Sequence, residues 1–217
     1  VMKNVAGYDV TRLMAGALGT LGILLDLSIK VIPKPQQQIT LVKQINSDVA
    51  IDAMTRWKGR PLPLSAACYD GDQLYLRLSG SEQAVKLARQ RIGGEQHPHG
   101  DHFWQQLREH QHAFFDTHKP LWRLSVPAAS TDLHLDGKQF IDWGGAQRWL
   151  ISSQSAETIR QRASQLGGHA TLFRGADTSS TTRFHPLPDA QMTVIQRLKQ
   201  AFDPSSLFNP GRLYLNL

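Results

Sequence analysis

The chain has 217 residues, 41% of them hydrophobic, with 24 Lys and Arg, 18 Asp and Glu, a formal charge of +6 and one cysteine. That is enough apolar material for a sizeable core in one or two domains, and it excludes a disordered chain and an internal disulfide framework. The basic residues are dispersed without a run of five or six, and no nucleic-acid module is recognisable. The charge therefore reads as solvated faces, or as a surface for acidic partners and an anionic substrate.

The chain opens on Lys3-Asn4-Val5-Ala6-Gly7-Tyr8-Asp9 and soon reaches Gly16-Ala17-Leu18-Gly19-Thr20-Leu21-Gly22-Ile23. Glycines at every third position let a backbone enter positive φ and press its N–H groups against a ligand. A nicotinamide dinucleotide fingerprint needs Gly-x-Gly-x-x-Gly opening a helix, and this spacing is different. Ile23 to Ile32 is rich in branched residues and alternates late, so a strand is expected there. The stretch from Leu13 to Leu25 is too short for the ~20 residues of a membrane span. Pro33-Lys34-Pro35-Gln36-Gln37-Gln38 reads as a stiff polar exit.

The middle of the chain predicts a strand over Ile39–Ile45, a helix over Val49–Trp57, a hairpin of Ser65–Tyr69 and Leu74–Leu78 around Asp70-Gly71-Asp72, and a helix over Ser81–Ile92. Cys68 lies in an apolar stretch and reads as buried and structural. His97-Pro98-His99-Gly100-Asp101-His102 reads as an exposed loop before a helix capped by Asp101, with metal coordination as the alternative.

A second set follows. It comprises a helix from about Asp101 to His112, strands near Trp122–Val126, Leu133–Leu135, Gln139–Ile141 and Arg148–Ile151, a helix over Ala156–Leu166 and a strand over His169–Phe173. Antiparallel strands with helices on one face imply an α+β layer. Trp122, Trp143 and Trp149 read as core anchors. Arg123 and Arg148 read either as partners of a carboxylate or as ordinary surface or structural charges. Ser152, Ser153 and Ser155 lack a nucleophile elbow, so hydrolase chemistry is excluded. After a polar stretch from Gly175 to Thr182, the helical spacing of Val194, Ile195, Leu198 and Phe202 predicts a helix that stops near Pro204.

Lys-Asn-Val-x-Gly-Tyr-Asp, Gly-x-x-Gly-Thr-Leu-Gly-Ile and Lys30-x-x-Pro-Lys-Pro35 resemble the FAD-binding domain of flavoproteins of the vanillyl-alcohol-oxidase (PCMH) type, above all the D-2-hydroxyacid dehydrogenases. Asp203-Pro204-Ser205-Ser206-Leu207-Phe208-Asn209-Pro210-Gly211-Arg212 is similar to that family's closing motif. Asp101 to Glu109, Pro120 to Pro127 and Asp142 to Trp149 resemble the FAD-binding E subunits of bacterial glycolate oxidases, and the resemblance spans essentially the whole chain.

The resemblance implies an α+β protein: the C-terminal part of a PCMH-type FAD-binding domain (1–38), an antiparallel-sheet cap covering flavin and substrate (39–182), and a C-terminal helix and turn returning to the FAD domain (183–217). It implies FAD as cofactor, with Lys3, Asn4, Gly7, Tyr8, Gly16, Gly19, Thr20, Gly22, Ile23 and Asn209 near it, and no metal. The family's main pyrophosphate loop is expected N-terminal to Val1, so the chain reads as the C-terminal part of a longer protein and as inactive alone. It also implies a complex with a catalytic flavoprotein subunit and an iron–sulfur subunit. That complex would oxidise glycolate to glyoxylate and pass electrons to a non-nicotinamide acceptor. Its place would be the cytoplasm, at the inner face of the bacterial inner membrane through the complex.

Leu18 stands where related catalytic subunits carry glutamate, and the family's His-Val-Gly-Asp-Gly-Asn motif does not occur, so no catalytic residue is assigned. The alternatives are a stand-alone FAD dehydrogenase for another 2-hydroxy acid and a non-catalytic assembly subunit.

Overall fold

A computed structural model describes residues 9–175 and 182–217. The chain divides into two compact units, Val1–Val31 with Thr182–Leu217, and Ile32–Thr181.

The larger unit is built on one eight-stranded antiparallel sheet. Its strands are β1 (Gln37–Gln44), β2 (Leu64–Tyr69), β3 (Gln73–Gly80), β4 (Glu95–Gln96), β5 (Leu121–Ser125), β6 (Lys138–Asp142), β7 (Gln147–Ile151) and β8 (His169–Arg174), in the spatial order β4-β1-β3-β2-β6-β7-β5-β8. The α+β expectation holds, and each predicted helix of this region forms near its expected place. Gly71 has a φ of +109° in the tight β2–β3 connection, where Asp70 Oδ1 also accepts from the amides of Asp72 and Gln73.

Helices lie on both faces of the sheet, not on one. In numbered order after a short first helix in the other unit, α2 (Ser47–Lys58) and α3 (Glu82–Ile92) bury Ala50, Met54, Val85 and Ile92 against Leu41, Leu74, Leu76 and Leu78. On the opposite face α4 (Gly100–Arg108) and a 3-10 turn at Ala113–Phe115 bury Phe103, Leu107, Phe114 and Phe115 against Tyr75, Phe140 and Trp149. A third core joins α5 (Ala156–Gln165) to Leu124, Leu150 and Leu172. Pairs of neighbouring strand residues explain the two-sided cover: Cys68 and Tyr69, Phe140 and Ile141, and Trp149 and Leu150 are all buried and point to opposite faces.

The two halves of the sheet meet at a single register pair, Tyr69 with Ile141. Beyond it β2 departs from β6, and the turn Trp143–Gly145 follows with positive φ at all three residues. Leu133–Leu135, expected as a strand, has no ladder partner. Leu133 and Leu135 are nonetheless buried in the third core, which accounts for their apolar alternation.

In the smaller unit α1 (Val10–Met14) is capped by Asp9, which accepts from the Arg12 amide, and α6 (Asp189–Phe202) precedes the closing turn. The strand expected over Ile23–Ile32 does not form among the described residues. The segment makes no ladder and leaves Ile23, Leu25, Ile29 and Ile32 between 73% and 88% exposed. Branched residues favour an extended backbone, but a strand also needs a neighbouring edge to bond, and none is offered among the described residues.

Candidate functional site

The smaller unit brings the glycine loop and the closing motif together. Asn209, at a φ of +42°, donates from Nδ2 to the Leu18 carbonyl at 2.9 Å, and a Cβ on Gly19 would come within 2.9 Å of that same Nδ2. Only glycine allows this approach, because Gly19 also has a φ of +71°.

Beneath the contact lies Lys199, 5% exposed. Its ammonium donates to the Thr20 carbonyl at 2.8 Å, to the Phe208 carbonyl at 2.7 Å and to Asp203 Oδ2 at 2.5 Å. Asp203 in turn accepts the amides of Leu207 and Phe208. Burial raises the Asp203 pKa, but the Lys199 hydrogen bond, the two amides and the Lys199 charge outweigh it and hold the carboxyl at about 2. One buried ion pair thus ties the end of α6, the closing turn and the glycine loop into a single knot. Lys199 escaped the sequence reading, which followed the apolar spacing of α6. Its i,i+4 relation to Asp203 at the end of an apolar stripe is the signal that could have shown it.

Among the predicted cofactor residues, Gly16, Gly19, Thr20, Gly22, Ile23 and Asn209 all lie in this unit, whereas Lys3, Asn4, Gly7 and Tyr8 lie outside the described residues. Thr20 is turned inward, its hydroxyl donating to the Ala17 carbonyl at 2.7 Å, so it shapes the loop from within. Gly16 and Gly22 face open space, with no atom within 4 Å of an added Cβ. The amides of Leu18, Gly19 and Gly22 donate to no acceptor among the described residues. Unpaired backbone N–H groups in a glycine-rich loop are the kind of donor that can meet the oxygens of an anionic ligand.

The larger unit holds a cleft of about 900 Å³ beside the place where the half-sheets part, lined among others by Arg77, His110, Arg123, Trp143, Trp149 and Phe173. Trp143 does not anchor a core: it is 69% exposed at the rim, at a φ of +52°, whereas Trp122 and Trp149 are buried as expected. Arg148 is fully buried and donates to the carbonyls of Gly145 and Ser130, which gives it the structural role. Asp142 is pushed up by burial, against the pull of the Trp143 amide and the Trp149 indole. His110 is pushed down by burial and then by the nearby charges of Arg174 and Arg123, with Glu109 opposing.

Among the described residues no three His, Cys, Asp or Glu side chains converge as metal ligands would, those of the histidine cluster included. The His97 ring packs against Tyr75 and Phe103, and its Nδ1 accepts the His99 amide. Asp101 lies inside the first turn of α4 and accepts from the Gln38 side chain at 2.6 Å, so it is not the cap; His99 holds that position. Cys68 is fully buried, which pushes its thiol well up, as its structural reading requires.

No family model matches the chain. Over all 217 residues it is 45% identical to the glycolate oxidase subunit GlcE of Escherichia coli K12, and it covers 60% of that protein. Shorter matches reach the glycolate oxidase subunit GlcD of Bacillus subtilis 168, 52% identical over 40 residues, and a D-lactate dehydrogenase of Anaerostipes hadrus, 48% identical over 42 residues. These cover 18% and 19% of the chain, and 8% and 9% of those proteins. In sequence, the chain is similar along its whole length to the glycolate oxidase E subunit of Escherichia coli and spans about 60% of that protein's length.

Proposed function

We propose that the chain is the C-terminal part of a flavin-binding E subunit in a complex that oxidises glycolate to glyoxylate. The observation that carries this reading is the identity to GlcE along the whole chain. In this reading residues 1–38 and 183–217 belong to a PCMH-type FAD-binding domain, residues 39–182 form its cap, and the complex contains a catalytic flavoprotein and an iron–sulfur subunit. Electrons leave for a non-nicotinamide acceptor, and the complex works at the cytoplasmic face of the inner membrane. No helix of the described residues is long and apolar enough to cross a membrane, which is consistent with attachment through partners.

The glycine loop would hold FAD through the free amides of Leu18, Gly19 and Gly22, with Asn209 fixing the loop's curvature through the Leu18 carbonyl. FAD, when bound, accepts the hydride that leaves the α-carbon of a 2-hydroxy acid. The Lys199–Asp203 pair keeps the closing turn against the loop, so the loop is already shaped when the cofactor arrives. With Leu18 in place of an acidic residue, the loop offers donors and no side-chain base. A base for the proton of the substrate hydroxyl must therefore come from outside this loop.

The test is to purify the full-length protein with and without its flavoprotein and iron–sulfur partners and to follow glycolate-dependent reduction of a dye. Reduction only by the assembled complex is expected. Reduction by the protein alone would favour a stand-alone dehydrogenase, and full activity of the partners without it would overturn the assignment.

A further inference from the structure

The cleft in the larger unit follows a break in the sheet. β2 pairs with β3 from Leu64 to Tyr69, but with β6 only through Tyr69 and Ile141. From Leu64 to Cys68 the other edge of β2 therefore has no strand beside it. The chain after β6 does not continue that ladder, because Trp143, Gly144 and Gly145 take φ values of +52°, +61° and +99° and leave the extended backbone a strand requires. Leu64, Ser65, Ala66 and Ala67 all line the cleft, so the open edge of β2 runs along it. Its walls come from both layers of the molecule: Met54 belongs to the core under α2, and Leu107 and Trp149 to the core under α4. The cleft is a slot alongside a strand edge, not a pit on one face of the sheet. Trp143 stands at its rim, 69% exposed, on a left-handed backbone that bulky residues rarely adopt.

The charges of the slot are unequal. Lys58 and Arg123 on its walls are exposed and Arg77 is half-buried, and among the described residues no carboxylate lies within 4.0 Å of any of them. Two carboxylates also line it, and both already hold donors: Asp142 accepts the Trp143 amide at 2.7 Å and Asp101 accepts from the Gln38 side chain at 2.6 Å. Arg108 is offset by Glu109 at 2.8 Å.

We propose that this slot receives an extended, acidic segment of a partner protein, which adds a strand to the open edge of β2. Main-chain bonds to β2 supply the affinity, and side chains of the added strand alternate between the Met54 side and the Trp149 side of the sheet. Acidic residues of the segment meet Lys58, Arg77 and Arg123, and Trp143 packs on it from the rim as the aromatic anchor. A second copy of this chain is disfavoured as occupant, because a two-fold pairing of β2 edges sets the same cations against one another. The site lies wholly in the larger unit and stands independently of the flavin reading.

The test titrates the full-length protein into capped, fluorescein-labelled peptides and follows their anisotropy. The probe alternates glutamate and valine. One control alternates lysine and valine, and two more carry N-methyl groups on alternate amides of the acidic probe, in one register or the other. Saturable binding of the acidic probe is expected, with weak binding of the lysine peptide. N-methylation should abolish binding in one register only, because a strand at an edge bonds its neighbour through every second residue. Trp143→Gly, which suits the left-handed backbone, should raise the Kd about tenfold or more. Arg123→Gln should raise it about threefold and make its salt dependence shallower, while Lys86→Gln, on the exposed side of α3, should leave it unchanged. Equal binding of the lysine peptide would overturn the acidic partner, and N-methylation harmless in both registers would overturn strand addition. Absence of saturable binding, or affinity unmoved by Trp143→Gly in folded protein, would overturn the site. Dimerisation of the protein that Trp143→Gly abolishes would give the slot to a second copy and overturn the partner reading. None of these readouts depends on flavin content or turnover, so failure here is distinguishable from failure of the proposed function.

Discussion

Asp203 and Lys199 show how much one buried pair can organise. Each is almost wholly buried, and between them they satisfy two carbonyls and two amides from the glycine loop and the closing turn. The Asp203 pKa is lowered from its ordinary 3.8 to about 2, so the carboxylate contributes stability above about pH 4 and loses it as pH falls toward about 2. Asp203→Asn should lower the melting temperature at neutral pH and flatten the acid limb of the stability profile, as thermal melts across that range would show. An acid limb identical to that of the parent would mean the pair is not what holds the turn. Turn chemistry pointed to Gly19 and Pro204 and the resemblance of the closing motif to Asn209, whereas Lys199 showed only in its i,i+4 spacing to Asp203, which marks a pair but not its burial. Apolar periodicity therefore passed it over.

At the scale of elements, the paired strands of the hairpin β2–β3 and the helices around them were legible because short-range signals agreed: alternation, Gly71 in the turn, and Ser81 capping α3 through the Ala84 amide. Two elements were misjudged for a reason the local sequence does not contain. Ile23–Ile32 has strand composition but no partner edge among the described residues, and Leu133–Leu135 spends its alternation on packing under α5. The one-sided helix cover was also misjudged, since neighbouring apolar residues such as Phe140 and Ile141 had to be read as facing two cores at once. Phe140 is fully buried among Phe114, Phe115 and His112, next to the point where the half-sheets join. Phe140→Ala should cost about 3–5 kcal/mol in urea unfolding, because the surrounding rings cannot collapse into the space. A loss well under 1 kcal/mol would show that this second core is loosely packed.

For the whole molecule, the central claim is that the glycine loop and the closing turn are parts of a flavin site. Gly22 tests that claim: an added Cβ there meets no atom of the described residues within 4 Å, so the strain of its φ of +157° is the structural cost of a substitution, and the side chain would intrude on a ligand lying along the unpaired amides. The decisive measurement is the visible absorbance of the full-length protein, parent and Gly22→Val, after reconstitution with FAD and removal of the excess. A bound flavin spectrum in the parent, and its loss in a variant that still folds and melts cooperatively, is the predicted result. Folded parent protein that retains no flavin, or a variant that retains it fully, would contradict the account.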